Sequence, residues 1–257
     1  MEERPLSGRV ALVTGVSRRR GIGFATAQRL ALLGADLMLQ AFTSYDAQQE
    51  WGADADGMLP LLAELRARGV RAEYVEADFL DPGAPRHVMF AARSAFGHVD
   101  ILVANHAYSA AGALDELTAD SIDRHLLINV RASLLLVKEF AAQHDGRPGG
   151  RVILLTSGQA LGPMPGELAY VASKGALHQL TQSLSVPLMP LGITVNTINP
   201  GPTDTGWATG TLHEHIKSAF PQGRWGEPDD AARLIAWLCT DDARWITGQI
   251  INSTGGF

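Results

Sequence analysis

Three residues near the middle of the chain have the types and spacing to move a proton onto or off an oxygen. Ser157 ends the run Arg151-Val-Ile-Leu-Leu-Thr-Ser157, a Gly/Pro-containing loop spans Gly158 to Gly166, and Ala169-Tyr170-Val-Ala-Ser-Lys174 follows. Tyr170, Leu177, Leu180, Leu184 and Leu188 recur at helical spacing, so Tyr170 and Lys174, four apart, face the same way. A free phenol, with a pKa near ~10, is a poor base at pH 7. An ammonium beside it is expected to lower that value. Tyr170 would then exchange a proton with a forming alkoxide while Ser157 hydrogen-bonds the same oxygen, which suits reduction of a carbonyl or its reverse. The plainer alternative is a half-buried helix tyrosine beside a solvated lysine.

The elements that must hold these groups can be read outward. Val152 to Leu155 is short, apolar and partly β-branched, as a buried strand should be. Ser157 then sits at a strand's carboxyl end, where ligand sites collect in open α/β sheets. At the start of the chain, Arg9 to Thr14 reads as a strand and Ile22 to Leu33 as a helix closed by Gly34. Between them lies Gly15-Val-Ser17-Arg18-Arg19-Arg20-Gly21-Ile22-Gly23, in the strand–glycine loop–helix context of a dinucleotide fingerprint. Small residues there let the backbone approach a pyrophosphate, and the helix start offers free N–H groups.

The second strand, Asp36 to Phe42, bears on the choice of cofactor. An NAD-preferring site usually places an acid at this strand's end, but here Ala41, Phe42 and Thr43 precede the first acid, Asp46. Arg18, Arg19 and Arg20 offer positive charge for a 2′-phosphate, or they simply solvate a loop. NADP(H) is therefore expected over NAD(H). The long segment from Phe42 to Met58 carries Tyr45 and Trp51, which pack near the adenosine or form a local surface cluster.

Further along, a helix is expected over Leu59 to Arg68 and a strand over Arg71 to Glu76, with Asp78 and Phe79 placed for the adenine edge and ring. A helix over Ala84 to Phe96 precedes the strand Asp100 to Ala104. Its exit loop carries Asn105, a backbone brace or cofactor contact, and His106, for which nothing in the sequence positions a partner. A helix from Thr118 towards His144 holds Asn129 among apolar neighbours, where an amide needs hydrogen bonds and would act as a brace. After the strand Ile193 to Ile198, Pro200 and Gly201 fix a turn, and Thr203 and Thr205 offer donors for a carboxamide or phosphate. Residues 206–226 read as a mobile lid, with Trp207 and Phe220 candidates for the pocket wall. A helix over Pro228 to Cys239 and a strand over Gln249 to Asn252 complete the chain.

The 257 residues, 46% hydrophobic and 19% charged, fit one globular domain spanning 1–257. A net charge of −6 argues against a nucleic-acid partner. The single cysteine, Cys239, allows no intrachain disulfide and points to the cytosol. No secretory pattern or membrane-length apolar run is present, and no metal-ligating set stands out.

Together, Thr14-Gly15…Gly21-Ile22-Gly23, Asp78, Asn105, Asn129, Ser157, Tyr170-x-x-x-Lys174, Pro200-Gly201 and the ending Ile246-Thr-Gly-Gln-Ile-Ile-Asn-Ser-Thr-Gly-Gly256 resemble the short-chain dehydrogenase/reductase family, in family order over nearly the whole chain. The nearest look is to 3-oxoacyl-carrier-protein reductases. The resemblance implies a Rossmann-type, doubly wound parallel seven-stranded sheet with helices on both faces, usually in homotetramers. It implies Tyr170 as acid/base, Ser157 as oxyanion partner, Lys174 as ribose binder and phenol tuner, and Asn129 as a proton-relay brace. It also implies a small carbonyl or alcohol substrate, carried on an acyl carrier protein in the nearest branch. The chain departs from the family in two places. The glycine loop holds two more residues than the usual Thr-Gly-x-x-x-Gly-x-Gly, and Ala104-Asn105-His106-Ala107 replaces Asn-Asn-Ala-Gly. The enoyl-reductase branch also has an expanded loop but a wider Tyr–Lys spacing, so Tyr170-x-x-x-Lys174 favours a carbonyl or alcohol. NAD-linked oxidation of a sugar, polyol or secondary metabolite, and a non-catalytic nucleotide-sensing protein, are the alternatives.

Overall fold

The computed structural model describes residues 4–256. Seven parallel strands form one sheet: β1 Val10–Thr14, β2 Asp36–Ala41, β3 Ala72–Glu76, β4 Ile101–Ala104, β5 Gly150–Leu155, β6 Ile193–Asn199 and β7 Ile250–Asn252, in the spatial order 3-2-1-4-5-6-7. The order reverses between β1 and β4, which opens a crevice at their carboxyl ends. The helices are α1 Ile22–Leu32, α2 Thr43–Ala47, α3 Met58–Arg66, α4 Ala84–Phe96, α5 Ala119–His125, α6 Ala132–Gln143, α7 Leu168–Leu188, α8 Gly210–Ala219 and α9 Pro228–Leu238.

Alternation along the strands splits the core into two layers, because successive side chains point to opposite faces. Ala11 and Val13, Ile101 and Val103, and Ile153 and Leu155 join α1, α3 and α9 on one face. Val10 and Leu12, Leu102 and Ala104, and Val152 and Leu154 join α4, α6 and α7 on the other. Both faces are therefore covered, which is why these strands read as continuous apolar runs. The doubly wound, seven-stranded parallel sheet is as expected.

Two details differ from the sequence expectations. The segment after β2 is not simply a loop, since it winds into the short helix α2. The helix expected from Thr118 to His144 is interrupted by a π-helical turn, Leu126–Arg131, between α5 and α6. Such a turn accommodates one extra residue and is frequent at functional sites; this one contains Asn129.

Two glycines let the crevice close tightly. Gly15 has φ +70°, and a Cβ there would lie 2.7 Å from the His106 Cα. A Cβ at Gly23 would meet the Gly15 carbonyl oxygen at 2.6 Å. The start of α1 is thus pressed against the β1 turn at a distance no side chain permits.

Candidate active site

Ser157, Tyr170 and Lys174 converge beyond the end of β5. Ser157 leaves the strand with its N–H donating to Gln159 Oε1 at 3.1 Å, and its hydroxyl is close enough to the Tyr170 phenol to favour the phenolate. Tyr170 lies in the first turn of α7 and is half-buried. Lys174, one turn on, is buried; its Nζ donates to the Leu155 carbonyl at 3.0 Å and lies 5.7 Å from the Tyr170 ring centroid.

The electrostatics correct one expectation. Burial pushes the Tyr170 phenol up to about 12, against the opposing pull of the Ser157 hydrogen bond. Burial also draws Lys174 down to about 8. Lys174 does not lower the phenol's pKa here: its ammonium is spent on a backbone carbonyl, and withdrawal of the phenolate from water dominates.

Asn129 is wholly buried and uses its amide fully. Its Oδ1 accepts from the Tyr108 N–H at 2.7 Å, while its Nδ2 donates to the Tyr108 carbonyl and to Ser173 Oγ, each at 2.9 Å. Ser173 Oγ in turn donates to the Tyr170 carbonyl at 2.8 Å. Asn129 thus joins the β4 exit loop to the helix that carries Tyr170 and Lys174. Sequence alone does not single out His125, which the structure places beside this group. Its ring lies 4.7 Å from Tyr108 and 6.3 Å from Tyr170, edge-on to both. The signal that marks it is its position four residues before Asn129 on one amphipathic segment.

His106 has partners after all. Its Nδ1 accepts from Thr14 Oγ1 at 2.7 Å and its Nε2 donates to the Ile128 carbonyl at 3.1 Å. Burial first, then the Lys174 charge, push it down to about 3. It is a neutral brace between β1 and the π turn. Asn105 acts alongside it, donating from Nδ2 to the carbonyls of Thr14 and Gly15 at 3.0 and 3.1 Å.

The nucleotide side of the crevice fits a dinucleotide. Gly21, which has no side chain, caps α1, so the cap residue leaves the N–H groups at the helix start for a ligand. Ser17 Oγ accepts from the Phe42 N–H at 3.1 Å, which fixes the glycine loop to the end of β2. The three arginines diverge. Arg18 pairs with Asp46 at 3.0 Å, lies over Trp51 and donates to the Thr205 carbonyl at 2.9 Å. Arg19 pairs with Glu64, and Arg20 with Asp204 at 2.6 Å. Of the three, Arg18 stays beside Ser17 and α2, whereas Arg19 turns to α3 and Arg20 to the segment after β6. Asp78 remains half-buried at the end of β3. Phe79 departs from expectation: its ring is buried 4.2 Å from the His106 ring, so it is not free to meet an adenine. At the turn after β6, Gly201 has φ +64° beside Thr254. Thr203 also departs from expectation, since its hydroxyl is turned inward onto the Gly201 carbonyl at 3.2 Å and not towards a ligand. Thr205 contributes its carbonyl to Arg18.

Residues 206–226 carry the exposed helix α8 over a small cluster of Ala208, Phe220 and Trp225. Phe220 is buried there and is not an open wall of the crevice. Trp207 is partly exposed and donates from Nε1 to the Thr203 carbonyl at 2.9 Å. Among the described residues no group of three metal-ligating side chains occurs, and no helix is long and apolar enough to cross a membrane.

The chain has relatives over nearly its whole length. A family model described as "Enoyl-(Acyl carrier protein) reductase" matches residues 15–257. "Uncharacterized oxidoreductase YjdA" of Bacillus subtilis is 43% identical over 97% of this chain and 96% of its own length. The "NADPH-dependent aldehyde reductase-like protein, chloroplastic" of Arabidopsis thaliana is 38% identical over 98% of this chain and 95% of its own. Among solved structures, a short chain dehydrogenase from Burkholderia cenocepacia in complex with NADP superimposes with TM-score 0.88 at 38% identity, covering 98% of both chains. The chain belongs to the short-chain dehydrogenase/reductase family and is an NAD(P)-dependent oxidoreductase.

Proposed function

We propose that the protein interconverts a carbonyl and a secondary alcohol with NADP(H), in a crevice covered by residues 206–226. The observation that carries this reading is the convergence of Ser157 and the Tyr170 phenol beyond the end of β5, with Lys174 one turn further along α7. Tyr170 and Ser157 form a pair of donors to a single oxygen, an arrangement suited to hydride addition at the carbon that bears it. This supports a carbonyl over an isolated carbon–carbon double bond, despite the wording of the matching family model.

When bound, the nicotinamide supplies or accepts the hydride. Tyr170 gives its proton to the forming alkoxide, Ser157 stabilises the same oxygen, and Lys174 would hold the ribose of the cofactor. Asn129 keeps α7 and the Tyr108 wall in register. Gly15, Gly21, Ile22 and the α1 start would hold the pyrophosphate, with Asp78 at the adenine edge, Asn105 behind the crevice, and Pro200, Gly201 and Thr205 on its far side.

NADP(H) is supported by Arg18 beside the β2 end and by the relative that holds NADP. Use of NAD(H) is a second reading with an observation in its favour: Arg18, Arg19 and Arg20 each already have an acidic partner. The ratio of kcat/KM for NADPH and NADH decides between them. A panel of aldehydes, ketones and 3-oxoacyl thioesters, free and carrier-linked, tests the reaction. Tyr170→Phe should lose about 10²–10⁴-fold or more in kcat; near-normal turnover would refute the assignment. Exposed Ile122 and Leu126 on one side and Trp237 and Trp245 on another support a homotetramer, to be checked by light scattering. The one buried cysteine supports a cytoplasmic location.

A further inference from the structure

His125 is buried yet takes no part in the proton transfer above. Both of its ring nitrogens are engaged. Nδ1 donates to the Ser121 carbonyl at 2.7 Å, one turn back, which leaves Nε2 to accept from the Ala110 N–H at 3.2 Å. Only the neutral tautomer protonated at Nδ1 satisfies both bonds. Burial disfavours the imidazolium, in agreement.

The backbone held in this way belongs to the wall beside Tyr170. Asn129, four residues on, grips the Tyr108 N–H and carbonyl from the same helical segment. Across the crevice, Tyr45 Oη on α2 donates to the Ser109 carbonyl at 3.4 Å, with its ring 6.0 Å from that of Tyr108. Three consecutive residues, Tyr108, Ser109 and Ala110, are therefore each anchored through backbone atoms to a side chain on a helix. The His125 ring also fills the space between Tyr108 and Tyr170.

We infer that His125 is a positioning residue: its neutral imidazole fixes the Tyr108–Ala110 wall at the distance from Tyr170 that orients the carbonyl substrate. The role rests on the proposed carbonyl chemistry for its kinetic consequence but not for its structural one. A loosened wall misplaces substrate without touching the proton donor, a fault that costs up to about 100-fold and falls on KM and facial selectivity more than on cofactor binding.

The test compares the wild type with His125→Phe, which keeps a ring but cannot accept a hydrogen bond, and His125→Gln, whose amide oxygen can. Hydrogen exchange of the peptide spanning Ala107 to Gly112 should quicken in the Phe variant and return towards wild type in the Gln variant. With a carbonyl reduced by the wild type, kcat/KM should fall mainly through KM in the Phe variant, with NADPH affinity unchanged, and recover in the Gln variant. Should His125→Phe fail to fold, His125→Leu, smaller and equally unable to accept, takes its place. Unchanged exchange and kinetics, or equal damage in the Phe and Gln variants, would overturn the inference. A wild type that reduces no carbonyl would instead refute the proposed function, and the exchange comparison would still decide whether His125 holds the wall.

Discussion

Tyr170 and Lys174 are driven apart by the same burial, one up to about 12 and the other down to about 8. The phenol is therefore in its donating form throughout the neutral range, while the lysine keeps its charge only below about 8. Carbonyl reduction should be level between pH 6 and 7 and decline above about 8 as the ammonium is lost. Alcohol oxidation, which needs the phenolate, should still rise with pH through that range. Rate profiles in the two directions check this; parallel profiles would contradict it. His106 makes a separate prediction about stability. Its pKa is about 3 in the folded chain and 6.5 in its ordinary state, so the unfolded chain binds the extra proton between those values. The contribution is complete above about 6.5 and is lost as pH falls, about 2 kcal/mol between pH 7 and 5. Denaturant titrations at the two pH values, with His106→Leu as control, should show that part of the slope vanish. Ser157, Tyr170 and Lys174 could be found from sequence because helical spacing and a strand end place them locally. His106 and His125 could not, because Thr14 and the Ala110 N–H are brought to them by other elements.

The glycine loop and the segment after β6 are tied together by side chains whose partners the sequence leaves open. Arg20 reaches Asp204, Asp204 lies 3.5 Å from His213, and the His213 ring stacks on Trp225 at 4.8 Å. Arg20 is well exposed, so the pair contributes little to global stability, about 0–1 kcal/mol. Arg20→Ala should leave the unfolding midpoint nearly unchanged yet speed proteolytic cleavage within 206–226, where α8 rests on only a small apolar cluster. Cleavage at the wild-type rate would show that the tie does not hold this segment. The need for Gly15 and Gly23 was legible as a motif, and the structure supplies its cause in two backbone clashes. The arginines' partners were not legible, since Asp204 lies far along the chain and Glu64 on a separate helix, α3, whose packing beside α1 the sequence does not give.

At the scale of the whole chain, the sheet separates two cores that share little but backbone. Ile101→Val lies in one and Ile193→Val in the other. Each should cost about 0.5–1.5 kcal/mol, and the double variant should match their sum within about 0.5 kcal/mol. A large coupling in urea titrations would mean that the layers communicate through the sheet. This architecture was the most legible feature of the sequence, because short apolar runs alternating with helical spacing leave few arrangements other than a parallel sheet. The helix α2 and the π turn were not, because both depend on what they pack against.

That π turn makes length a constraint. Leu126–Arg131 holds one residue more than a regular helix would need to span the same rise. Removing any one of the six would let this turn heal into ordinary α form, leaving the flanking segments in register but redirecting the side chains inside the turn. The carboxamide of Asn129 and the imidazole of His125 would no longer point to the same loop. In this stretch the count of residues matters as much as their identity, and a substitution that spares composition is safer than a deletion that spares charge.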